Sequence, residues 1–211
     1  MASSAHPSGS SSEDVQEQPS VLGILNDWDM ASQLTEKGEV PNSAALHRTG
    51  TLPFMARDLL RSPPPPHYYR HDLESFFYIL IWAAVHYDLE NQIRKPVSKM
   101  MVLWDDQVHA LTSKSHLFAS SGLGHDFLND LMKLMGKEFD EIKLKWILPL
   151  HKLFDRAFRS VPDDDQPEYA TYDYETCNGQ ITFATFMGTI GIKPRSLEKG
   201  NQAYGSSIDV V

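Results

Sequence analysis

The sequence predicts a mainly α domain with very little strand. An uninterrupted apolar run, Phe76 to Val85, is flanked by Asp72, Glu74 and Asp88. Downstream, apolar residues recur at spacings of three and four, the period of one helix face. Strand-like wording is confined to Val21-Leu22-Gly23-Ile24-Leu25. The run from His71 to Asp88 is too long for an ordinary strand, and its early acids suit a helix N-terminus. It is therefore expected as a helix apolar on all sides, set in the middle of the domain.

Residues 1–20 are rich in Ser, Pro, Gly and acids. Such a segment buries too little apolar surface to offset its ordering entropy and is expected to be disordered. The short strand 21–25 follows, then a long polar loop through residue 53. Phe54 to Leu60 is expected to make one or two helical turns. Pro63 to Pro66 excludes helix and favours polyproline II, a rigid spacer ahead of the central helix. Met100, Met101, Trp104, Val108 and Leu111 are expected on one helical face. Phe127, Leu128, Leu131, Met132 and Met135 form a second such face. Trp146, Ile147, Leu150, Leu153, Phe154, Ala157, Phe158 and Val161 form a third, with Pro149 expected to divide it. Asn178-Gly179 signals a turn. Thr182 is expected to cap a last helix, Phe183 to Ile190, closed by Gly191. Residues 21–193 form the expected domain, and 194–211 a flexible tail.

Composition narrows the function. Twenty-eight acids against nineteen Lys and Arg give a net charge of −9, which argues against nucleic-acid or anionic-membrane binding by overall charge. The single cysteine, Cys177, excludes an internal disulfide framework and a multi-thiolate zinc site. The ten-residue apolar run is about half of what a bilayer requires. The first twenty residues hold no apolar core of a secretory signal. An intracellular protein, cytoplasmic or nuclear, is expected.

The chemistry-bearing wording is clustered early. Asn26-Asp27-Trp28-Asp29 places two acids at a strand end, where oxygen ligands can hold a divalent metal. Arg48-Thr49-Gly50-Thr51-Leu52-Pro53-Phe54-Met55-Ala56-Arg57-Asp58 follows. His71-Asp72-Leu73-Glu74-Ser75-Phe76 then opens the apolar run. This order, strand, D-W-D, loop, G-T-x-x-F-M-A-x-D and D-L-E-S helix, resembles the C-terminal lobe of a eukaryotic protein kinase domain. The wording NDWDMA, RTGTLPFMA and HYYRHDLESFFYIL is similar to the fungal-type protein kinases, and D-L-E-S to the casein-kinase-1-like branch. The resemblance extends over residues 21–190.

The resemblance implies roles residue by residue. Asp27 takes the place of the D-F-G aspartate, which holds Mg²⁺ against the phosphates of ATP. Trp28 stands for the Phe, and Asp29 replaces the Gly. Residues 30–53 correspond to the activation segment, with Ser43, Thr49 and Thr51 as its hydroxyls. Thr49, Gly50 and Thr51 belong to the loop that contacts a protein substrate. Ala56-Arg57-Asp58 corresponds to A-P-E, whose acid pairs with a distant Arg; Arg156 and Arg159 are the candidates. Asp72 corresponds to the acid that braces the catalytic loop.

The remaining kinase parts are not found in these 211 residues. The 26 residues before Asp27 hold no Gly-rich loop, strand lysine or H-R-D pattern. His47-Arg48-Thr49 lacks the acid, and Arg70-His71-Asp72 lies on the wrong side of D-W-D. Phosphoryl transfer is nearly all positioning and electrostatics. The chain alone is therefore expected to be inactive, with no catalytic residue of its own. ATP and Mg²⁺ are implied by the resemblance and not expected to bind the chain alone. The alternative is a catalytically dead kinase-like interaction module, or scaffold, with a protein partner.

Other features read as ordinary structure. His67 and His71 lie four apart but lack a third ligand. Cys177 has no visible general base. Met100, Met101, Met132 and Met135 are expected in the core. Asp163 to Asp165 reads as a solvated loop.

Overall fold

The computed structural model of the protein describes residues 51–119 and 123–193, the first four of the second stretch as backbone only. The expected strand 21–25, the segment 1–20 and the tail 194–211 lie outside the described residues. Among those described, helix dominates and the one sheet is a two-residue antiparallel ladder.

The chain enters through two 3₁₀ turns, Leu52–Phe54 and Asp58–Leu60. Pro63 to Pro66 then forms a non-helical connection into α1, Tyr69–His86. The Tyr68 N–H donates to Nδ1 of His71 at 3.1 Å and satisfies a donor that the first turn leaves open. Tyr87–Asp88 (β1) and Ile93–Arg94 (β2) pair as a hairpin, Tyr87 opposite Arg94. The His86 ring closes the hairpin's exit: Nδ1 donates to the Trp82 carbonyl and Nε2 accepts the Ser98 N–H, at 2.9 and 3.0 Å.

The stretch from Met100 to Leu111 is not one helix, contrary to its apolar spacing. It is a 3₁₀ turn, Val102–Asp105, followed by α2, Ala110–Ser115. Asp106 is the reason. Its carboxylate accepts the N–H groups of Val108 and His109 at 2.9 and 2.8 Å and so competes with a continuous ladder. Met101 and Trp104 still enter the core, but Val108 is exposed.

The two long faces downstream are helical. In α3, Leu123–Leu134, Leu128 and Leu131 are buried, with Met135 just beyond its end. The third face runs from α4, Asp140–Ile142, through a π-helical segment, Lys143–Ile147, into α5, Leu148–Arg159. Pro149 does not divide it. The π segment lets the Leu148 N–H reach back to the Lys143 carbonyl, and Pro149 falls in the first turn of α5, where its missing donor does little harm. Thr182 caps α6, Phe183–Thr189, as expected, and Gly191 ends it in the left-handed region.

The main core wraps α1. Phe77, Ile81 and Ala84 of α1 meet Leu131 of α3 and Ile147, Leu150 and Phe154 around α5. Phe77 and Phe154 lie 5.4 Å apart between ring centroids. The four methionines belong to or pack against this core, as expected. α1 is nevertheless not buried all round: Phe76 and Ile79 are 57% and 42% exposed. A smaller core of Met55, Ala56, Leu59, Leu60 and Ala110 fixes the entry loop against α2.

Candidate functional site

The first two turns of α1 carry Arg70, His71 and Glu74, three polar residues that are all fully or almost fully buried. Buried charge is tolerated only when paired or hydrogen-bonded. Their partners lie in the loop Thr51–Asp58, which α1 and α2 hold between them.

Asp58 accepts from the Arg70 guanidinium at 2.7 Å and from Arg61 at 3.2 Å. Burial alone would raise the Asp58 carboxyl, but the charge and hydrogen bond of Arg70 hold it below its ordinary value. Arg70 also donates Nε to the Tyr174 carbonyl at 2.7 Å, which ties the loop–helix junction to the chain beyond α5. The distant-arginine expectation is thus corrected: neither Arg156 nor Arg159 meets Asp58. Arg156 is exposed, and Arg159 binds Asp155 one turn away on α5. The arginine that the fold delivers lies only twelve residues beyond Asp58, because the Pro63–Pro66 connection folds the start of α1 back beside the loop.

His71 sits behind this pair, its Nε2 4.0 Å from Asp58. Its Nδ1 accepts the Tyr68 N–H, so the proton of the neutral ring is on Nε2. Burial and the neighbouring Arg70 charge lower its pKa to about 3 and keep it neutral.

Glu74 holds the loop's main chain. Its Oε1 accepts the Arg57 N–H at 2.9 Å and the Tyr78 hydroxyl at 2.6 Å. Burial raises its pKa against the opposing pull of Arg57. From α2, the fully buried Lys114 donates to the carbonyls of Leu52 and Met55 at 2.7 and 2.6 Å. Arg57 lays its guanidinium on Phe158 and Phe118, 4.1 and 5.0 Å from the ring centroids.

The expected site residues are distributed as follows. Thr51 is exposed at the head of the loop, and its carbonyl accepts the N–H groups of Phe54 and Met55. Asp58 is at the loop's buried end. Asp72 faces outward, half-exposed, with its carboxylate on His67 Nε2 at 3.0 Å. Asp27, Ser43, Thr49 and Gly50 lie outside the described residues. Among the described residues, no three His, Cys, Asp or Glu side chains are grouped as metal ligands. Asp27, on which the Mg²⁺ expectation rests, lies outside them. The roles of Arg70, Glu74 and Lys114 do not follow from the motifs. The available signal was a charge standing within an apolar pattern, since such residues are rarely buried unless paired.

Beside the loop, an open groove of about 580 Å³ runs along the uncovered side of α1, lined by Phe54, Ile79, Trp82, Tyr87, Val97 and Val102. No described helix is long and apolar enough to cross a membrane.

Residues 12–84 match the family model of fungal protein kinases. The match supports the resemblance drawn from the motifs and spans the D-W-D wording, the loop and most of α1. It ends inside α1, so the later helices lie beyond it. No curated protein and no solved structure matches the chain.

Proposed function

We propose that the chain forms the C-lobe portion of a fungal-type Ser/Thr protein kinase domain, and that by itself it transfers no phosphate. The observation that carries this is the seat of the loop. A segment worded G-T-x-x-F-M-A-x-D lies on the first turns of a D-L-E-S helix, its terminal acid ion-paired to Arg70. The family match covers both halves of that junction.

In this reading the chain's own residues hold and orient. Glu74 and Lys114 fix the main chain of the loop that carries Thr51, the segment that would lie along a protein substrate. Asp72 keeps a carboxylate at the surface of α1, where it would brace a catalytic loop. Asp27 is the residue that would hold Mg²⁺. When bound, that ion would supply positive charge to offset that of the ATP phosphates. The nucleotide clamp and a catalytic aspartate must come from outside these 211 residues.

A second reading, a dead kinase-like interaction module, is favoured by the exposed apolar side of α1 at Phe76 and Ile79. Apolar surface of this kind beside a groove marks places where another surface docks.

The test is phosphate transfer. The full chain with MgATP and Ser/Thr peptides is expected to show none; transfer that is lost in Asp27→Ala would overturn the inactivity. Sequencing the transcript through its 5′ end separates the two readings. An upstream frame encoding a Gly-rich loop, a lysine and an H-R-D segment supports the kinase, provided the longer product transfers phosphate and loses this in Asp27→Ala. A message that opens at Met1 favours the module.

A further inference from the structure

Among the described residues, Lys114 is a cation in an unusual setting. It stands on a short helix, is fully buried, and its two hydrogen bonds go to main-chain carbonyls, those of Leu52 and Met55. Its Nζ lies 4.6 Å from the centroid of the Tyr78 ring and 5.7 Å from that of Trp104. An ammonium has three donors. Two are spent on the loop, and the third is left to this aromatic floor. Burying the side chain is costly, and the cost shows in a pKa lowered by burial to about 7, with the Glu74 charge pulling the other way. A cation placed at such cost, on atoms every residue type possesses, acts on the shape of the loop and not on its sequence.

We propose that Lys114 is the positioning residue that sets the conformation of the Thr51–Met55 loop, by bridging two carbonyls three residues apart. Glu74 completes the hold from α1 by taking the Arg57 N–H. The loop is thereby pinned at Leu52, Met55 and Arg57, while the Thr51 side chain remains free at the surface. A hydrophobic contact could fill the same space but could not fix two carbonyl directions. The relevance of this loop to a peptide rests on the proposed kinase reading; the clamp itself does not.

The experiment is amide hydrogen exchange on the full-length chain, comparing Lys114→Met and Lys114→Arg with the natural protein. The Phe54 and Met55 amides, which donate within the loop, report its shape, and amides inside α5 report global stability. Lys114→Met is expected to speed exchange at Phe54 and Met55 by about tenfold or more relative to α5, the size of a lost charged hydrogen bond. Lys114→Arg, which keeps charge and donors, is expected to recover part of that protection. Equal loss of protection in loop and α5, or none in the loop, would overturn the clamp. Should Lys114→Met fail to fold, the nitrogen-15 lysine spectrum of the natural protein decides. A slowly exchanging Nζ signal with contacts to Leu52 and Met55 supports the proposal, and a rapidly exchanging one overturns it. Neither readout needs nucleotide or peptide, so failure here leaves the kinase reading standing, and a transcript that opens at Met1 leaves the clamp standing.

Discussion

The two ends of α1 are built on different principles. From Phe77 onward α1 buries Phe77, Ile81, Trp82, Ala84 and Val85 against α3 and α5 in apolar, non-directional contacts, with directed hydrogen bonds only at Tyr78 and His86. The N-terminal half buries Arg70, His71 and Glu74, each tied to a particular atom of the loop or its flanks. The first arrangement supplies stability through area removed from water. The second contributes less net stability, because desolvation offsets much of what pairing returns. What it supplies is direction: a carboxylate or a guanidinium accepts only certain geometries, so the loop beside it is held in one place.

That contrast can be broken most strongly in the apolar half. Phe77→Ala removes a fully buried ring and is expected to cost about 3–5 kcal/mol in denaturant unfolding. A cost near 1 kcal/mol would mean that the core around α1 is loosely packed. In the polar half, Asp58→Asn leaves the buried Arg70 without its anion and is expected to cost roughly 3 kcal/mol. The paired change Asp58→Leu with Arg70→Met is expected to recover most of this while loosening the loop, as read by proteolysis near Thr51.

Acid sharpens the same comparison. The unfolded chain binds a proton at His71 near pH 6.5, whereas the folded chain refuses it until about pH 3. Between those values the unfolded state binds more protons, so stability falls as pH is lowered through the window. Denaturant midpoints measured from pH 7 to pH 4 are expected to fall steadily, and His71→Gln is expected to flatten the slope. The smallest effect belongs to the surface. Asp72→Asn breaks only a half-exposed contact with His67 and is expected to change stability by less than about 0.5 kcal/mol. A larger loss would show that Asp72 has a further partner.

Much of the fold is legible in the sequence. The period of α3, the Thr182 cap, the Asn178-Gly179 turn and the core placement of the methionines follow from local rules. Where the reading departs from the structure, a side chain or a backbone adjustment outcompetes the pattern. Asp106 interrupts the helix expected over residues 100–111 by capturing two N–H groups. A π segment accommodates Pro149. The exposure of Phe76 and Ile79 is invisible to periodicity, because an apolar run says nothing of which neighbours are present to cover it.

The candidate site divides in the same way. Motif order along the chain marks the loop, Asp58 and the helix that receives them, since those are strings of adjacent residues. It does not identify Arg70 as the partner of Asp58, nor Glu74 and Lys114 as the holders of the loop's main chain. Those contacts join residues twelve to sixty-two positions apart, and two of the three are made to backbone atoms that carry no sequence signature. The sequence by itself determines the long helical segments and where the polar exceptions stand. Only the tertiary structure decides which main-chain groups those exceptions meet, because burial removes water as a partner and obliges each charge to take the nearest acceptor or donor the fold brings to it.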